Sequence, residues 1–161
     1  MKKFATLVLV LGVALTFSVG AFGADSPQFR GPARDGIFPE KGLLKSWPAE
    51  GPALVWKAEG IGRGYSSVAD VSGTIYVPGM LEDEQGYVFA LDENGKEKWR
   101  ATYGPETLEK QAPGSRATPT IDGDRLYIMS GRGVLTCMST KDGKQVWQED
   151  VRNKFNGMTT I

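Results

Sequence analysis

The chain has 161 residues, with 19 basic and 19 acidic side chains, no histidine and one cysteine, Cys137. The missing histidine removes the usual general base and the commonest metal ligand, which excludes Ser-His-Asp triads and ordinary zinc sites. Balanced charge gives no electrostatic reason for a nucleic acid or an anionic membrane surface as partner, and a lone cysteine forms no intramolecular disulfide.

Met1-Lys2-Lys3 opens the chain, and Phe4 to Phe22 then carries no charge. The cationic start, apolar middle and small residues near Ala21 to Ala24 predict a secretory signal peptide over 1–23, with cleavage after Ala21 or Gly23. A retained anchor is the alternative for a run barely of span length. The mature chain would hold 17 basic against 19 acidic residues, a net −2, have no stable membrane span, and be periplasmic or secreted.

Residues 24–53 change to Pro, Gly and charge, which predicts an extended arm with turns at Gly31-Pro32 and Asp35-Gly36. Phe29, Ile37, Phe38, Leu43, Leu44 and Trp47 are its expected anchors on a globular body, and Arg30, Arg34 and Asp35 are expected to pair within its turn. Leu54-Val55-Trp56-Lys57 follows as a strand with no partner upstream. Gly60 to Ser67 is glycine-rich, but it lacks Gly-Lys-Ser/Thr and leads into a strand, so it is not a phosphate cradle. Glu82-Asp83-Glu84 is a solvated loop tip rather than a calcium loop, which needs alternating oxygen ligands and a glycine turn.

Two segments then repeat. Gly86 to Trp99, GYVFALDENGKEKW, and Gly133 to Trp147, GVLTCMSTKDGKQVW, each read as strand, polar turn ending in Asn-Gly or Asp-Gly, lysine, and strand closing on tryptophan. Upstream, Ile75-Tyr76-Val77 matches Leu126-Tyr127-Ile128, each after a glycine turn. Every unit is therefore four short strands in two hairpins. The tryptophans at 56, 99 and 147 are spaced by 43 and 48 residues, with the difference in the loops. Four strands at a period in the forties predict β-propeller blades, at about 65–102 and 116–151.

Within the repeat, Asn94-Gly95 and Asp142-Gly143 are expected to supply positive φ at the turns. Trp56, Trp99 and Trp147 would fill gaps between neighbouring blades, and Tyr76 and Tyr127 complete the repeat set. Cys137, alternating with apolar neighbours, is expected to be a buried, inert thiol. Arg116 precedes the innermost strand of the second unit. There it could pair with carboxylates or hold an anion, as the one candidate for cofactor binding, or brace blade to blade.

Leu91-Asp92-Glu93-Asn94-Gly95-Lys96-Glu97-Lys98-Trp99 resembles the repeat of the pyrroloquinoline quinone (PQQ)-like β-propellers. The second copy has Met138-Ser139 for Leu-Asp and keeps Asp142-Gly143-Lys144 and Trp147. Gln28 to Pro32 with Arg34-Asp35-Gly36, Tyr65-Ser66-Ser67 and Gly114 to Pro119 also match secreted bacterial members. The resemblance implies one of two roles. Some members are binding or scaffold propellers, including the lipoprotein of the outer-membrane β-barrel assembly machinery, which would take a protein or carbohydrate ligand. Others are PQQ- and calcium-dependent alcohol or sugar dehydrogenases. Those need calcium ligands, an aspartate base and commonly a vicinal cysteine pair. The chain has no Cys-Cys and no ligand set that transfers residue by residue, so no catalytic or metal residue is assigned.

Propellers take about 4–8 blades, and repeat arrays generally need about three units for a stable shared core. Residues 54–161 therefore predict an incomplete, all-β propeller: about two four-stranded antiparallel blades plus an N-terminal strand and the extended arm. The expectation is a fragment whose partners include the remaining blades of a longer parent, where PQQ and calcium could bind.

Overall fold

The computed structural model describes residues 23–158, so the expected signal peptide over 1–23 lies almost wholly outside the described residues. Two four-stranded antiparallel sheets make up the body, each a simple meander. Blade 1 holds β1 (Ala69–Val71), β2 (Thr74–Met80), β3 (Gln85–Leu91) and β4 (Glu97–Pro105). Blade 2 holds β5 (Thr120–Asp122), β6 (Arg125–Met129), β7 (Val134–Ser139) and β8 (Gln145–Asp150). One helical turn, α1 (Val151–Lys154), ends the described chain, where the Asp150 carboxylate accepts from Asn153 N–H at 2.9 Å.

Period-two alternation builds the core between the two sheets. Ala69, Tyr76, Val88, Ala90 and Tyr103 of blade 1 pack on Ile121, Leu126, Ile128 and Met138 of blade 2, all buried. In each blade the tyrosine of the second strand meets the tryptophan of the fourth. Ring centroids lie 5.9 Å apart for Tyr76–Trp99 and 6.1 Å for Tyr127–Trp147, at tilts of 52° and 50°. The pairing registers Ala90↔Trp99 and Cys137↔Trp147 make these positions equivalent. Cys137 is a free thiol, 1% exposed.

The hairpin turns differ from the sequence expectation. Gly95 and Gly143 have φ of 77° and 70°, but Asn94 and Asp142 are not at positive φ. Pairings Leu91↔Glu97 and Met138↔Gln145 leave loops of five and six residues, each ending in the glycine and the lysine. A carboxylate does the turning: Asp92 Oδ1 accepts from the N–H groups of Asn94 and Lys96, both at 2.9 Å.

The arm also departs from expectation. It has turns near Gly31 and Gly36, but Phe29, Ile37, Phe38, Leu43, Leu44 and Trp47 are all more than half exposed, and Phe38 packs on the arm's own Gly31. Polar backbone contacts hold it instead: Ser26 bridges Asp70, Pro27 carbonyl accepts from Ile121 N–H at 2.8 Å, and Asp25 accepts from Ser72 N–H at 2.9 Å. Gly and Pro turns keep the arm from presenting one apolar side. Arg34 donates to Gln28 (2.7 Å), Asp35 accepts from Ile37 N–H (2.8 Å), and Arg30 stacks over Phe29 (5.6 Å), so among the described residues none of the three makes the expected ion pair.

Residues 54–57 are not a strand. A strand needs a sheet edge to pair with, and this segment meets a turn instead. Trp56 lies over Gly95, where an added Cβ would come within 2.6 Å of its ring. Trp99 lies over Gly143 at the same 2.6 Å. One indole thus sits on the turn glycine of each described blade.

Candidate functional site

The glycine-rich stretch 60–67 is a backbone seam. Arg63 and Met80 exchange N–H···O bonds of 2.9 and 2.8 Å, and Tyr65 N–H donates to the Ser115 carbonyl at 2.7 Å. Gly64 and Ser115 pair in parallel, which brings the entries to the two blades side by side. A Cβ on Gly62 would collide with the Met80 carbonyl, and one on Gly79 with that of Ile61. Close approach of main chain to main chain is what these glycines permit.

Beside the seam opens a cleft of about 690 Å³. Its walls are the seam, the β2–β3 tip with Glu82 and Glu84, and the connection between blades from Leu108 to Pro113. Met80, Leu81, Leu108 and Pro113 supply apolar surface, and Arg63, Lys110, Glu82 and Glu84 ring it with both signs of charge. None of those four takes part in an ion pair among the described residues. At the tip, Asp83 accepts from Gln85 N–H (3.1 Å) and from the Tyr87 hydroxyl (2.8 Å). No group of three or more potential metal-ligating residues occurs among the described residues.

The connection is fixed from below by a network that the sequence reading missed. Glu106, 1% exposed, accepts from the Tyr103 hydroxyl and from Gly131 N–H at 2.8 Å, while Ser115 hydrogen-bonds Tyr103 at 2.8 Å. Burial, then the adjacent Glu106 carboxylate, pushes the Tyr103 phenol far up, so it remains a donor. Tyr103 carbonyl in turn accepts from Thr136 (2.9 Å) and Gln148 (3.3 Å) of blade 2. These residues escape a repeat search because Glu106 and Ser115 have no counterpart in the other unit. A glutamate just after Gly104-Pro105 reads as solvated loop. Tyr103, two residues past the strand alternation of Trp99 and Ala101, was the available signal.

Arg116 donates to Glu109 and to the Ala112 carbonyl (2.8 Å). It closes the connection on itself, and its partner Glu109 lines the cleft. Of the repeat residues, Tyr76, Trp99 and Gly143 meet at the blade interface. Trp56 and Gly95 meet on the outer face of blade 1, and Tyr127 and Trp147 on the outer face of blade 2.

A family model described as outer membrane protein assembly factor BamB matches residues 41–161. Among solved structures, the chain is similar to a quinohemoprotein alcohol dehydrogenase from Comamonas testosteroni at 20% identity and TM-score 0.48, over 62% of this chain and 15% of that one. It is also similar to BamB from Moraxella catarrhalis at 25% identity and TM-score 0.33, over 56% of this chain and 22% of that one. The chain thus spans only a small part of either. No curated protein matches it. No helix among the described residues is long and apolar enough to cross a membrane.

Proposed function

The chain belongs to the PQQ-like β-propeller family of the BamB type, and from that premise we propose that it is an exported binding module that takes a polypeptide ligand and catalyses nothing by itself. The observation that carries this reading is the cleft beside the seam. Apolar surface from Met80, Leu81, Leu108 and Pro113 lies among free charges of both signs, a mixture that suits an extended peptide with apolar and charged side chains. The family description, that of an assembly factor for outer membrane proteins, points to the same ligand class. Glu106 and Arg116 serve by holding the cleft wall in place.

The test is site-specific photo-crosslinking in cells. A crosslinker at Leu108 or Glu82 should trap one discrete protein adduct, and one at Lys57, away from the cleft, should not. Equal adducts from all three positions would refute the site. Saturable binding of PQQ with calcium would instead favour the quinoprotein reading. Fractionation tests export: the chain is expected in the periplasm or medium, shortened by about 23 residues from the predicted cleavage.

A further inference from the structure

We propose that the signal peptidase cuts between Gly23 and Ala24, and that the α-ammonium it frees on Ala24 pairs with the Glu40 carboxylate to latch the arm onto both blades. This rests on the export proposed above, and it chooses between the two cleavage sites that the sequence left open. Hydrolysis adds water across the Gly23–Ala24 peptide bond. It leaves a carboxylate on Gly23 and an amine on Ala24 that is protonated below about pH 8.

The bond to be cut lies where the chain becomes anchored. Ala24 N–H already donates to Glu40 Oε1 at 2.8 Å, although the two residues are 16 positions apart. Asp25 accepts from Ser72 N–H at 2.9 Å, and Ser26 exchanges main-chain bonds of 2.7 and 3.0 Å with Asp70. The Pro27 carbonyl accepts from Ile121 N–H at 2.8 Å. Every residue from Ala24 to Pro27 is thus held, and the last two reach β1 and β5, the first strand of each blade. Glu40 lies beyond the turns at Gly31 and Gly36, so its contact with Ala24 ties together the two ends of the arm's folded part. A cut after Ala21 would leave Phe22 and Gly23 ahead of the anchored stretch and set the new charge two residues away from Glu40.

The surroundings favour a cation at this point. A cleft of about 580 Å³ is lined by Gly23 together with Asp25, Asp70 and Glu93, and no lysine or arginine is among its lining residues. Burial, then the Asp25 carboxylate, holds the Asp70 carboxyl above its ordinary range, and a nearby cation offsets both. In the precursor the Ala24 amide offers these carboxylates and Glu40 only a neutral N–H. In the processed chain the same nitrogen carries a full charge, and charge-assisted hydrogen bonds are about twice as strong as neutral ones. Removal of the leader thereby fastens the arm after export and not before.

Protein purified from the periplasm or medium tests this in two steps. Intact mass should show a chain that begins at Ala24. A chain cut at any other bond overturns the proposal and leaves export standing, whereas a chain that keeps its leader overturns both. The Ala24 methyl signal is then followed by NMR from pH 6 to about 10. Its midpoint should lie at least about half a unit above the ordinary α-amine range of about 7.7–8.0, and Glu40→Gln, at an exposed site, should move it back towards that range. Amide exchange at Ser72 and Ile121 should run about two- to fivefold faster in Glu40→Gln, the range of an exposed ion pair. An ordinary midpoint in the wild type, or a midpoint or exchange rate that Glu40→Gln leaves unchanged, would overturn the latch. None of these outcomes bears on the peptide cleft.

Discussion

Blade 1 and blade 2 share strand order, the tyrosine–tryptophan pair and the turn glycine, yet equivalent faces carry different chemistry. On the face of blade 2 that meets blade 1, Thr136 and Gln148 are cross-strand partners. They bond one another (2.8 Å), and both donate to the Tyr103 carbonyl. The same two positions of blade 1, on its outer face, are Phe89 and Arg100, with the guanidinium 5.6 Å over the ring and paired to Glu97 at 3.0 Å. One pair clamps a neighbour's main chain, and the other covers itself. The repeat therefore specifies backbone path and aromatic pairing, while the facing positions decide which neighbour each sheet accepts. Blades of one fold are not interchangeable parts.

The largest expected effect breaks the symmetry at the turn glycines. Gly143→Ala combines a positive φ with a collision against Trp99, which its indole bond holds in place, and should cost about 3 kcal/mol in urea unfolding. Gly95→Ala faces the same contact, but Trp56 can swing aside, and about 1 kcal/mol is expected. Equal losses would mean that the two seats are equally rigid.

Next is the network between the blades. Tyr103→Phe removes the donor to a buried carboxylate and should destabilise by about 2 kcal/mol, measured the same way. Thr136→Val removes a bond to the Tyr103 carbonyl and should cost about 1 kcal/mol. An effect of Thr136→Val on the hydrogen exchange of β4 amides would place that cost across the interface rather than inside blade 2.

The smallest effect is in pH. Bonds from Lys144, backbone first, hold the Asp142 carboxyl below its ordinary 3.8. A depressed folded-state value stabilises above 3.8, and that contribution is lost as pH falls through the depressed value. Asp70 is shifted the other way, raised by burial and then by Asp25. Its folded form takes up a proton first, so stability rises as pH falls from the raised value towards 3.8. Acid should thus loosen the blade 2 turn while relieving the blade 1 rim. Amide exchange at Gly143 and Ser72 followed from pH 6 to about 3 should move in opposite directions.

Much of this fold was legible because its parts occur twice. Tyr76 with Tyr127, Trp99 with Trp147 and Gly95 with Gly143 each have a second instance that fixes their place. Apart from the φ of Asn94 and Asp142, which the expectation missed in both copies, the errors fall where no second instance exists. Residues 54–57 look like a strand in isolation, but pairing depends on an edge that no local pattern reveals. The arm's apolar residues suggested anchoring, whereas Asp25, Ser26 and Pro27 anchor it through polar groups. In the candidate site, the glycines of the seam were visible, but the Tyr103–Glu106–Ser115 network joins residues that become neighbours only when two sheets stack.

The buried thiol of Cys137 gives the molecule a chemical clock. No other sulfhydryl competes with it, and it lies buried on the outer face of blade 2 beside its cross-strand partner Trp147. The rate at which a disulfide reagent such as Ellman's consumes it therefore counts how often blade 2 opens. A ligand or a neighbour that settles on that blade would be seen as a slowing of the colour change.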